Sequence, residues 1–126
     1  MGGNMIGYVT LGTNDLARAS TYYDALLGDI GATRTLELEG MVAWGAGEGS
    51  PMLGVIMPFD GNPATVGNGT MVGLNVGSTA KVDEMYAKAL ELGGTDEGAP
   101  GERMPGFYAA YFRDVDGNKL NFFCIG

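Results

Sequence analysis

The sequence predicts an α+β fold: two βαβββ modules whose curved mixed sheets surround a cup, with the helices on the outside. Three observations predict it. The chain repeats at a spacing of 63 positions, which sets Tyr8 on Met71, Val9 on Val72, Leu11 on Leu74, Ala17 on Ala80, Tyr23 on Tyr86, Leu27 on Leu90 and Gly31 on Gly94. Each copy opens with period-2 alternation and passes through a capping residue into a period-3.6 stripe. Each helical stretch is then followed by short strand-like segments separated by Gly-containing turns, the pattern of antiparallel hairpins. The 126 residues therefore read as a single domain, with module 1 over about 4–58, a linker over 59–69 and module 2 over about 70–126.

The first strand is expected within Met5 to Gly12, where Val9 and Leu11 share one face and Tyr8 and Thr10 the other. Thr13 or Asn14 can cap a helix from Asp15 to Leu27, whose apolar stripe is Leu16, Ala19, Tyr23, Leu26 and Leu27. Gly28 and Gly31 stop it. Strands follow at Thr33 to Leu38, Met41 to Ala46 and Met52 to Met57, with turns at Glu39-Gly40 and between Gly47 and Pro51. Phe59 to Gly69 is a Gly/Pro/Asn linker.

The second copy begins with a strand at Thr70 to Val76, in which Val72, Leu74 and Val76 oppose Met71, Gly73 and Asn75. Ser78 or Thr79 caps a helix from Ala80 to Leu92 with the stripe Val82, Met85, Tyr86, Ala89 and Leu90, stopped by Gly93 and Gly94. A short extended piece at Gly94 to Glu97 precedes strands at Phe107 to Phe112 and Lys119 to Cys124. Asp114 to Asn118 joins those two as a hairpin, with Gly117 free to take a positive φ.

Composition excludes several function classes. The formal charge is -8, from 7 Lys and Arg against 15 Asp and Glu, and no basic run exists to neutralise phosphates, so no nucleic-acid partner is expected. No apolar run reaches membrane-spanning length, and Met1 to Met5 does not read as a secretion signal. With one cysteine and no histidine, a Cys/His zinc site, a Ser-His-Asp triad and a Cys-His nucleophile are ruled out within one chain. These features point to a cytoplasmic protein without a membrane partner. Asp114 to Asn118 lacks the closing Glu of a calcium loop and reads as a turn, as does Asn68-Gly69-Thr70. Glu37, Glu48, Asp60, Glu97 and Glu102 have no recognisable catalytic partner and read as solvated carboxylates.

The pattern resembles the vicinal oxygen chelate superfamily, also called the glyoxalase/bleomycin-resistance/dioxygenase fold. The matching stretches are Tyr8 to Leu27, Pro58 to Thr70, Val82 to Gly101 and Tyr108 to Cys124, and the GNG linker with the DGNKL ending is similar to a bacterial glyoxalase-like subgroup. The resemblance implies three metal positions: a His on the first strand, a His on the first strand of the second half and a Glu on the last strand. They fall on Tyr8, Met71 and Asn121; a fourth position falls near Val55 or Met57. A phenol, a thioether and an amide replace two imidazoles and a carboxylate, a set that lacks the charge and hardness a divalent ion needs. No metal and no other cofactor is expected.

The leading expectation is a metal-free small-molecule-binding protein with an apolar or aromatic ligand in the cup. The wall would be Tyr8, Trp44, Val55, Met57, Met71, Gly73, Asn75, Tyr111, Asn121 and Phe123, with Phe107 or Tyr108 beside them and Arg103 at the rim. Asn121 would lie on the cup face beside Phe123, with Leu120, Phe122 and Cys124 toward the helix. A glyoxalase-like lyase or isomerase using Tyr8 as acid or base is the alternative, and a non-catalytic structural or interaction protein with a filled cup is the other. A homodimer is implied by the resemblance.

Overall fold

The computed structural model describes residues 5–126, in two compact units, one ending at Thr65 and the other running Val66–Gly126. In the first unit β1 (Tyr8–Gly12) leads to α1 (Leu16–Gly28), β2 (Thr33–Leu38), β3 (Met41–Gly45) and β4 (Met52–Ile56). In the second, β5 (Val72–Asn75) leads to α2 (Thr79–Glu91), β6 (Thr95–Met104), β7 (Phe107–Arg113) and β8 (Lys119–Ile125). The sheets have the orders β1-β4-β3-β2 and β5-β8-β7-β6, so the two units share one topology. In each, the first and last strands pair in parallel and the other neighbours are antiparallel. The helices begin and end at positions offset by the same spacing as the sequence repeat.

Helix starts follow capping chemistry. Ser78 accepts from the Lys81 N–H at 3.1 Å, as expected. For α1 the cap is Asp15, one or two residues later than expected, and its carboxylate accepts from the Arg18 N–H at 3.1 Å. Thr13 and Asn14 have other work. The Thr13 hydroxyl accepts from the Asp15 N–H at 3.1 Å. The Asn14 amide clamps Ala64, taking its N–H at 2.7 Å and donating to its carbonyl at 3.2 Å. That clamp lays the linker against the end of β1, where a Cβ on Gly12 would stand 3.0 Å from the Ala64 Cβ.

The strand registers separate two faces in each sheet. In the first unit Leu11 pairs with Val55, Val55 with Val42, and Leu53 with Trp44, so these side chains share the face covered by α1. Tyr23 of α1 meets the Trp44 ring at 5.6 Å, and Ala19, Leu26 and Leu27 are buried with it. In the second unit Leu74, Phe122, Ala110, Leu120 and Phe112 share the helix face, where Phe112 and Phe122 stack at 5.0 Å over Val82, Met85 and Ala89. Leu16, Tyr86 and Leu90 are only partly covered, at the margins of their stripes.

β6 departs most from expectation. In place of a short piece at Gly94 to Glu97 it is a 10-residue edge strand. Its register against β7 shifts between Asp96 and Gly98, between Gly98 and Gly101, and between Glu102 and Met104. Those irregularities, with three residues of Gly or Pro, erase the alternation by which a strand is read. The hairpin at Asp114 is as expected. The Asp114 carboxylate accepts from the N–H groups of Asp116 and Asn118 at 2.8 and 2.9 Å and from the Asn118 amide at 3.1 Å, and Gly117 has φ 90°.

One polar cluster ties α1 to its sheet. Asp24 accepts from Arg34 Nε at 2.9 Å, from a terminal Arg34 nitrogen at 2.8 Å and from Trp44 Nε1 at 2.9 Å. The Arg34 hydrogen bonds hold the Asp24 carboxyl below its ordinary value of 3.8, against the opposing effect of burial and with further help from Trp44. Because the folded-state value is depressed, this stabilisation is complete above the unfolded-chain value and is lost as pH falls through the lower folded value. Urea unfolding of the protein and of Asp24→Asn, followed from about pH 6 to about pH 3, will show the two midpoints converging as acid is added. A gap that stays constant across that range contradicts the pairing.

Candidate functional site

The faces opposite the helices carry the candidate site, and the second unit's is the richer. From the register, Gly73, Asn121, Tyr111 and Gly98 form one row across β5, β8, β7 and β6. On one side lies Phe123 paired with Ala109, then Phe107 paired with Ile125; the Phe107 and Phe123 rings stack at 5.5 Å. On the other side Arg113 pairs with Lys119. Two cations approach the Tyr111 ring, the Arg103 guanidinium at 5.2 Å and the Lys119 ammonium at 5.4 Å from its centroid. A cavity of about 440 Å³ opens beside them, lined by residues 66–71, Arg113 and Lys119.

Asn121 is 3% exposed, and its Oδ1 is buried without a hydrogen-bond partner. It lies against Gly73, where an added Cβ would stand 2.9 Å from Oδ1 and 3.3 Å from the Phe123 ring. Gly73 is therefore needed for this close approach. Asn75, also on this face, turns its Oδ1 back to accept from the Gly77 N–H at 3.1 Å. Arg103 donates to the Ala99 carbonyl at 2.6 Å. Arg113 is held by Glu97 at 3.1 Å and by the Gly117 carbonyl at 3.1 Å.

The first unit places Tyr8 and Thr10 on the face opposite α1, both exposed, with Met41, Ala43, Met52, Gly54 and Ile56 on neighbouring strands. Two sequence expectations, Trp44 and Val55, need correction here. Trp44 is not an open-face wall: it is 1% exposed, packed against Tyr23 and bonded to Asp24, because its register puts it with Val42 and Leu53 under α1. Val55 is fully buried on the same helix side. Met57 lies one residue past β4 and is 43% exposed. Of the pair Phe107 and Tyr108, it is Phe107 that lies on the open face; Tyr108 points to α2 and donates to Asp83 at 2.7 Å.

Of the residues singled out, Met71, Gly73, Asn75, Arg103, Tyr111, Asn121 and Phe123 belong to the second unit and Tyr8, Trp44, Val55 and Met57 to the first. Arg113 and Lys119, at the two ends of the turn joining β7 and β8, are not among the residues singled out. The signal was present: alternation through β7 and β8 places them on the side of Tyr111 and Asn121.

The three family metal positions do not fit a hard dication. Tyr8 and Met71 are 62% and 43% exposed and offer a neutral phenol and a thioether, and the Asn121 oxygen is sealed against Gly73. Among the described residues no group of three or more His, Cys, Asp and Glu could hold a metal. Also among them, no helix is long and apolar enough to cross a membrane.

Comparisons with known proteins agree with this architecture. The family model described as Glyoxalase/Bleomycin resistance protein/Dioxygenase superfamily matches residues 5–122. No curated protein matches the chain. Among solved structures, a glyoxalase/bleomycin resistance protein from Albidiferax ferrireducens T118 is 34% identical with a TM-score of 0.89, over 98% of this chain and 100% of that one. A hypothetical protein from S. aureus is 27% identical with a TM-score of 0.73, over 98% and 94%. A lactoylglutathione lyase from Agrobacterium tumefaciens shares the fold at 23% identity and a TM-score of 0.72, over 95% and 92%. The chain belongs to the glyoxalase/bleomycin resistance protein/dioxygenase superfamily.

Proposed function

We propose that this chain is a small-molecule-binding member of its superfamily that holds an aromatic or apolar ligand on its open sheet faces without a metal. The observation that carries the reading is Met71: a family metal position filled by a half-exposed thioether that lines the cavity of about 440 Å³. A thioether wall suits flat apolar surfaces and not hard cations. The stacked Phe107 and Phe123 rings and Tyr111 supply further aromatic surface on the same face. The reading includes Tyr8 as a ligand contact on the first unit's sheet, and a cytoplasmic homodimer.

The test is thermal unfolding with excess naphthamide and naphthoate in the presence of EDTA. A ligand at about 100 times its Kd stabilises by about 2.7 kcal/mol. At least one of the two compounds is expected to raise the midpoint with EDTA present. No rise with either, or a rise that requires added zinc or nickel, overturns the reading.

A further inference from the structure

We infer that the ligand of the second unit's face is an organic anion, with its carboxylate or phosphate at Lys119 and Arg103 and its apolar body along Tyr111 toward Phe123 and Phe107. The inference deepens the binding role proposed above and rests on it.

Positive charge is scarce in this chain: 7 Lys and Arg against 15 Asp and Glu. Three of the seven nevertheless serve one sheet face: Arg113 and Lys119 stand at the hairpin end of β7 and β8, and Arg103, from the Phe107 end of β6, reaches back to place its guanidinium over the Tyr111 ring. Arg113 is neutralised by Glu97. Arg103 and Lys119 form no ion pair with a carboxylate among the described residues; each is held over the Tyr111 ring. A ring face orients a cation without cancelling its charge, so both remain available to an anion. Lys119 also lines the cavity, a space in which a ligand group fits.

The rest of the face is graded. Along β8 the open-face residues run Lys119, Asn121, Phe123 and Ile125, and along β7 the facing residues run Arg113, Tyr111, Ala109 and Phe107. Charge therefore gives way to one polar row and then to stacked aromatics. At about 3.4 Å per residue, Lys119 and Phe123 stand about 14 Å apart along the strand. An amphiphilic molecule with an acidic head and an aromatic or aliphatic body matches that order. A neutral apolar ligand would leave the two free cations without a role, and a dianion lacking an apolar body would leave the Phe107–Phe123 end uncovered.

The experiment measures affinities for naphthoate, naphthyl phosphate and neutral naphthamide by titration calorimetry, using the full chain. The inference expects at least one of the anions to bind about tenfold or more tightly than the amide, since charge-assisted hydrogen bonds are the stronger class. It expects Lys119→Gln to remove most of that advantage and Lys119→Arg to restore it. Naphthoate ahead of naphthyl phosphate assigns a carboxylate head; the reverse order assigns a phosphate. Anion and amide binding equally overturns this inference and leaves the binding role standing, as does an advantage that survives Lys119→Gln combined with Arg103→Gln. No binding of any of the three overturns the binding role and this inference with it.

Discussion

Trp44→Ala will destabilise the protein by about 3–5 kcal/mol, the range for truncating a buried large aromatic. The indole is 1% exposed, meets the Tyr23 ring at 5.6 Å and donates from Nε1 to Asp24 at 2.9 Å. Truncation opens a cavity between α1 and β3 and removes one of the donors that hold the Asp24 carboxylate. Trp44→Phe keeps much of the packing and loses the hydrogen bond to a charged group, so about 1.5–3 kcal/mol is expected. Urea unfolding followed by far-UV circular dichroism measures both; fluorescence does not serve, because Trp44 is the one tryptophan. A loss below about 1 kcal/mol for the alanine variant contradicts the placement under α1.

Asn121→Leu will raise stability by about 1–3 kcal/mol in the ligand-free protein, the cost of a buried polar group without a partner. The Asn121 Oδ1 is in that position. Leucine has a similar shape and no polar atom, and it occupies the space between Gly73 and the Tyr111 side of the sheet without a desolvation penalty. The same change removes the polar row between the cations and the aromatics, so it separates stability from binding: a stabilised variant with weakened naphthoate affinity marks Asn121 as kept for a ligand. A midpoint that falls instead means that this carbonyl finds a hydrogen bond in solution, and the account of it as an orphan is then wrong.

Much of the architecture is legible in the sequence. The repeat relating Tyr8 to Met71, the two helices, and the alternation in β1, β5 and β8 all rest on local periodicity, and residues a few positions apart carry that information. The same alternation correctly assigned Asn121 and Phe123 to one face of β8 and Leu120, Phe122 and Cys124 to the other. β6 was largely invisible because its register slips against β7 and its Gly and Pro residues break the period. The α1 cap moved to Asp15 because Asn14, an equally good cap by chemistry, is taken by Ala64 about fifty residues away.

The candidate face divides in the same manner. Residue order along each strand settles which side chains alternate together, so the sequence already held the phenol, thioether and amide at Tyr8, Met71 and Asn121, the positions at which the resemblance implies metal ligands. It did not say which way each sheet turns toward its helix. Trp44 and Val55 were assigned to the open face and lie on the closed one, since facing depends on which neighbour a strand pairs with and how it is registered. Nor did it bring Arg103 and Lys119, far apart in the chain, onto the ring of Tyr111. Local steric preference and side-chain chemistry are properties of short segments; the meeting of distant cations on one aromatic ring requires the pairing of β6, β7 and β8, which long-range packing alone selects.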